Sequence, residues 1–340
     1  MTPVLEVRAV GKVFRAGGFF KRDATVALKD FSMTIAGDRP VITAIAGESG
    51  SGKTTLARLL LGIIEPSMGE IRYHGVNLKA MNGDQRRRFR QEVQAVFQDP
   101  FEVYNPFYHV DHVLTTPVAK FGLARTRDEA YTLIETALHQ VGLRPEETLG
   151  RYPHQLSGGQ RQRIMIARAL LLRPKIIVAD EPVSMVDASL RATILESLLK
   201  LKQEFGISLI YITHDLTTAY QLCDDIYILY RGTVAETGSV EQVIKQPKHP
   251  YTQLLVSSIP LPNPDQRWGG DVPAMSERNN GSGGGCPFAA RCPHVMERCH
   301  IAPPPLYQTS AESAAACYLY DDQPELRQRP VAAHDLLNPH

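Results

Sequence analysis

The chain has 340 residues, with 37 lysines and arginines against 36 aspartates and glutamates, for a formal net charge of +1. So even a balance gives no global attraction to nucleic acid or an anionic membrane, and the length suits one large domain with an appendage, or two domains. Residues 1–20 lack an apolar core of signal-peptide length, and no run approaches the ~18–20 apolar residues of a membrane span, so neither a leader nor a membrane crossing is expected.

In chain order, "VITAIA" (41–46) predicts a buried strand, then a Gly-rich turn and a helix through "KTTLARLLLG" that stops at Gly62. "RRRFR" (86–90) is the one dense basic run, and with net charge near zero it reads as a solvated helix face rather than a phosphate patch. From about 91 to 170 the pattern is mostly helical, which predicts a helical insertion into a sheet domain. "KIIVAD" (175–180), "SLIYIT" (208–213) and "IYILY" (226–230) predict further buried strands, and strands alternating with helices give an α/β layer fold over 1–245. Pro, Gly, Ser and Asn then dominate, predicting a linker over 246–285, of which 246–260 also reads as a capping helix, and a separate cysteine-bearing extension over 286–340.

"GESGSGKT" (47–54) fits the phosphate-binding loop pattern between a strand and a helix. Gly47, Gly50 and Gly52 let the backbone curl its N–H groups inward, with Ser49, Ser51 and Thr55 completing the cradle. Lys53 is placed to reach the β- and γ-phosphates, and Thr54 to bind Mg²⁺. "IIVADEP" (176–182) ends a strand on Asp180, which can hold Mg²⁺ through water, and on Glu181, which can polarise an attacking water. In "QLSGGQRQRIMIARALL" (155–171), Ser157, Gly158 and Gly159 sit where a helix begins, a second anion site that Gln160 adjoins. One chain has a single phosphate loop, so this second site makes sense as part of another subunit's nucleotide site.

With LSGGQ unaltered at 156–160, residues 4–240 resemble the ATP-binding-cassette (ABC) ATPases, which implies a P-loop NTPase core. The resemblance implies that Gln98 senses the γ-phosphate and Mg²⁺, that His214 is the switch histidine, that Asp187 marks the D-loop and that Phe14 stacks on adenine. It implies ATP sandwiched between the loop of one cassette and the signature of a partner. "QPKHPYTQLLVSSIP" (246–260), "DPFEVYNPF" after Gln98 and the cysteine-bearing tail resemble dipeptide, oligopeptide and nickel importer ATPases. That implies a peripheral subunit on the cytoplasmic face of the inner membrane. Its partners would be a second ATPase (a paralogue or itself), two permease subunits and an extracytoplasmic substrate-binding protein, with no nucleic acid. Di- or oligopeptides are the expected cargo, with nickel chelates or oligosaccharides as alternatives; a soluble ABC ATPase without a permease is the other reading.

Four of the five cysteines, Cys286, Cys292, Cys299 and Cys317, lie within 32 residues. Four thiolates make a full set for a [4Fe–4S] cluster or for zinc. The intervals of five, six and seventeen residues lack the tight pairs of structural zinc sites, which favours the cluster; zinc and unliganded thiols remain open. Cys223 reads as a core residue.

Overall fold

The computed structural model describes residues 3–15, 24–98, 104–184, 186–259 and 284–326. Two long strands open the chain, β1 (Pro3–Arg15) and β2 (Ala24–Ala36). β3 (Ile42–Ala46) leads through a glycine-rich turn into α1 (Lys53–Leu60). β4 (Met68–Tyr73), β5 (Val76–Asn77), α2 (Gly83–Glu92) and β6 (Val93–Val96) follow. A helical stretch comes next: α3 (Asp111–Phe121), α4 (Arg127–Gln140), α5 (Pro145–Thr148) and α6 (Gly158–Leu170). Alternation resumes with β7 (Ile176–Asp180), α7 (Ala188–Gln203), β8 (Ser208–Thr213), α8 (Leu216–Leu222) and β9 (Asp225–Tyr230). β10 (Thr233–Ser239), α9 (Val240–Lys245) and α10 (Pro250–Ser257) close this part. The C-terminal part holds α11 (Glu297–Ile301), β11 (Tyr307–Ser310) and β12 (Ser313–Ala315).

The strands form two sheets. The smaller is antiparallel, in the order β2-β1-β4-β5; the larger runs β11-β12-β10-β9-β3-β8-β7-β6. Within the larger, β6, β7, β8, β3 and β9 are parallel, and β10, β12 and β11 add antiparallel to one side.

Side-chain alternation explains why the central strands are apolar throughout. Ile177, Ala179, Leu209, Tyr211, Ile226 and Ile228 join the core shared with α3, α4, α6 and α7. Their neighbours Ile176, Val178, Ile210, Ile212, Tyr227 and Leu229 join the core beneath α1 and the small sheet. A sheet covered on both faces has no water-facing side, so period-two polarity disappears. The arginines of α2 are exposed, as a solvated helix face expects; Arg87 donates to the Lys120 carbonyl of α3 at 3.1 Å and Arg88 to Glu92 at 3.1 Å. Phe89 is buried.

The first part of the linker expected over 246–285 is a helix, as the capping-helix reading of 246–260 allows. α10 lies inside that stretch, and its Tyr251 is fully buried against Tyr230 and Phe288. The extension is also built into the large sheet, with β12 pairing Ala315 to Glu236 and Ser313 to Gly238 on β10. Residues 260–283, the bulk of the expected linker, lie outside the described residues, as does the tail from 327. Among the described residues no helix is long and apolar enough to cross a membrane.

Candidate active site

Residues 47–52 link β3 to α1. Gly47 (φ +147°) and Gly52 (φ +105°) have backbones that side-chain-bearing residues rarely adopt. A Cβ would lie 2.2 Å from the Leu229 carbonyl oxygen at Gly47, and 2.4 Å from that of Ala27 at Gly52. No side chain caps the N-terminus of α1, so its first N–H groups and the positive end of its dipole are left for an anion. Lys53 is buried, and its ammonium donates to the carbonyls of Gly47 (2.7 Å) and Glu48 (2.9 Å). Burial lowers its pKa, against the pull of Glu181, Asp180 and Glu48. The Ser51 hydroxyl is buried with no hydrogen-bond partner. An orphaned donor inside this loop suits a phosphate oxygen. Ser49, Gly50 and Thr54 are exposed, and Thr55 is half-buried.

Three neighbouring parallel strands end beside this loop. β7 ends on Asp180, whose pKa is raised by burial and by Glu181 and pulled down by Lys53 and Arg58. Glu181 follows in the left-handed region (φ +46°), with its N–H held by the Ile212 carbonyl at 2.9 Å. Such a conformation costs a non-glycine residue on the order of 1–3 kcal/mol and concentrates at functional sites. Gln98, just past β6, donates its amide to Glu181 Oε2 at 3.1 Å. His214, just past β8, meets Glu181 Oε1 through Nδ1 at 2.9 Å. The carboxylate is thus oriented from both sides at the carboxyl edge of the sheet, where open α/β sheets bind ligands. A carboxylate fixed in this way is fit to take a proton from an attacking water.

Other expected residues stand apart. Ser157 caps α6 in a reciprocal capping box: its N–H donates to Gln160 Oε1 at 2.9 Å and its hydroxyl accepts from the Gln160 N–H at 3.2 Å. Gly158 and Gly159 form the first turn. Among the described residues no hydrogen bond joins Ser157–Gln160 to the phosphate loop. Phe14 lies near the end of β1, 43% exposed, with the Lys12 ammonium 5.3 Å above its ring. Asp187 is exposed at the N-cap of α7, and Met185 lies outside the described residues.

Cys286, Cys292, Cys299 and Cys317 line one small cavity, together with His249, His294 and Phe288. Burial, then the neighbouring cysteines, push the Cys317 thiol up to about 11. Among the described residues no three His, Cys, Asp or Glu form a group able to hold a metal ion. The expected ligand set is therefore gathered around one cavity without closing into a shell for one ion. The thiols pack as small apolar groups, with Cys286 and Cys292 against the main core. Cys223 is buried, as expected of a core residue.

Sequence reasoning missed the residues that grip Glu48. Its N–H donates to the Tyr251 hydroxyl at 2.9 Å, and its carboxylate takes both arms of the Arg291 guanidinium at 3.0 and 3.1 Å. Arg291 is 243 positions from Glu48, so no local spacing signals the pair.

Residues 28–184 match the ABC transporter family, and residues 235–299 match the oligopeptide/dipeptide transporter C-terminal region. A Brucella ovis ATP-binding protein named for peptide import is 39% identical over 322 residues, covering 93% of this chain and 98% of its own. The chain belongs to the ABC transporter ATP-binding proteins. The di/tripeptide transport ATP-binding protein DppF of Pseudomonas aeruginosa is 38% identical, covering 90% of this chain and 94% of its own. Among solved structures, cbiO1 of Clostridium perfringens, part of an ABC transporter complex, aligns with a TM-score of 0.61 at 28% identity, over 72% of this chain and 92% of its own. An ATP-binding cassette solved as a dimer with ADP and Pi aligns at 0.59 and 26% identity, over 69% of this chain and 98% of its own. As a member of this family of P-loop fold, the chain is an ATPase.

Proposed function

We propose that the chain is the ATP-hydrolysing subunit of a binding-protein-dependent importer of di- and oligopeptides, with Glu181 as the general base. The observation that carries the hydrolytic reading is the convergence of Gln98 and His214 on Glu181 beside Lys53 and Asp180. Gly47, Ser49, Gly50, Ser51, Gly52, Lys53, Thr54 and Thr55 hold the triphosphate; Thr54, Asp180 and Gln98 hold Mg²⁺, which supplies charge neutralisation when bound; Phe14 packs on the base. The C-terminal match and the names of the relatives support the peptide class over nickel chelates or oligosaccharides. Glu181→Gln should keep ATP binding and lose about 10²–10⁴ in turnover. Near-normal turnover of that variant in a purified complex would reject the role.

Ser157, Gly158, Gly159 and Gln160 serve the nucleotide of a second ATPase, a paralogue or another copy. The separation of their hydrogen bonds from the chain's own loop supports this, as does the dimeric cassette among the structural relatives. Two permease subunits anchor the chain to the cytoplasmic face of the membrane, and a substrate-binding protein delivers the cargo. Phe107, 85% exposed a few residues after Gln98, suits an apolar permease contact.

The four clustered cysteines hold a [4Fe–4S] cluster that staples the C-terminal extension. The four cysteines line one cavity, and their spacing lacks the tight pairs of structural zinc sites; zinc is the alternative ligand. Anaerobic purification followed by iron, sulfide and zinc analysis is the test. Stoichiometric zinc without sulfide would refute the cluster.

A further inference from the structure

Glu48 is the first residue after Gly47 in the phosphate loop, and every polar group it has is engaged. Its carbonyl accepts from the Lys53 ammonium at 2.9 Å and from the Ser51 N–H at 3.2 Å. Those two bonds set the curl of the loop from within. Its N–H and carboxylate are held from outside the nucleotide-binding core, by Tyr251 of α10 and by Arg291.

Both outer partners are themselves fixed. Tyr251 is fully buried, its ring 4.5 Å from that of Tyr230 and 5.5 Å from that of Phe288. Arg291 ends a short turn, with its N–H donating to the Phe288 carbonyl at 2.9 Å. Its guanidinium lies 5.6 Å from the Phe288 ring centre and 5.9 Å from that of Tyr230. The Arg291 side chain is 25% exposed and that of Glu48 38% exposed. A planar fork stacked on rings and bonded through both arms to one carboxylate loses little freedom on pairing and fixes direction as well as distance. The next residue is Cys292, so the link runs from the cysteine-lined cavity straight to the phosphate loop.

We propose that Arg291 is a positioning residue for the nucleotide site: through Glu48 it holds the first turn of the phosphate loop, so that the C-terminal extension contributes to ATP affinity. The proposal rests on the reading that Gly47 and residues 49–55 bind the triphosphate, Glu48 itself being engaged within the protein. Loop geometry matters there because several N–H groups must meet phosphate oxygens at once, and a small misplacement weakens all of them together.

The test is a double-mutant cycle on the full-length chain, with MgATP as the probe. Arg291→Ala and Glu48→Ala should each raise KM for ATP, and the Kd from calorimetry, by roughly tenfold, with kcat changed less than about twofold. The double variant should be no worse than the poorer single one, because both remove the same link. A merely structural role would lower the melting temperature without this split between KM and kcat. Should Arg291→Ala fail to fold, Glu48→Ala removes the pair from the loop side and is read in the same way. Single variants within about twofold of wild type in KM overturn the proposal, as do losses that multiply in the double variant. A wild-type chain that binds no MgATP removes the nucleotide-site reading itself, and the proposal with it.

Discussion

Glu236 is wholly buried on β10, where its carboxylate accepts the backbone N–H groups of Lys248 and His249 at 2.9 Å each. Those bonds and Thr252 favour the charged form, but burial outweighs them and raises its pKa from 4.5 to about 7. A raised folded-state value means that the folded chain holds the proton more tightly. The stability this contributes is complete below the unfolded value of 4.5 and is lost as pH rises through about 7. His249 acts in the opposite sense: burial lowers it from 6.5 to about 4, so its contribution is present above 6.5 and lost as pH falls through 4. Glu236→Gln removes the first effect and leaves the second. The melting temperature of wild type minus that of Glu236→Gln should therefore fall between pH 5 and pH 7. A difference that stays constant across that range would reject the assignment.

Besides the Arg291–Glu48 pair, Phe288 and the pairing of β12 with β10 attach the C-terminal extension. Phe288 is 2% exposed and sits in the main core with Tyr230 and Tyr251. Emptying such a site costs about 3–5 kcal/mol, so Phe288→Ala should expose the extension to limited proteolysis while residues 1–245 keep their melting transition. Equal protease resistance in the two proteins would show that the β10–β12 pairing and the Arg291–Glu48 pair hold the extension without Phe288. This attachment was not legible in the sequence. β11 and β12, "YQTS" and "SAA", carry no apolar alternation and are strands because β10 offers them partners. α10 falls where 246–260 reads both as the start of a linker and as a capping helix, and its fully buried Tyr251 fits the helix. What could be read locally was read well: β3, β7, β8 and β9 are continuous apolar runs within a residue of their expected limits. The capping box of Ser157 and Gln160 starts α6 where the serine and glycines indicated. Glu181 could be read from its strand end, whereas Gln98 and His214 were expected at the site only through the family resemblance, because separate strands bring them to Glu181.

On the scale of the whole molecule, the chain carries one phosphate loop and one signature that share no hydrogen bond among the described residues. If each completes the site of a partner, hydrolysis per chain should fall on dilution of the purified protein as the dimer separates. A rate per chain that stays constant over a hundredfold dilution would reject assembly in trans. The order in which the large sheet is built has a further consequence. β10 is synthesised well before β12, and until residues 313–315 leave the ribosome its outer N–H and C=O groups have no strand to pair with. An open strand edge is a template for sticking to other chains. A fragment that stops at residue 259 keeps that edge bare and should aggregate, so the closing strand of the extension also separates finished chains from unfinished ones.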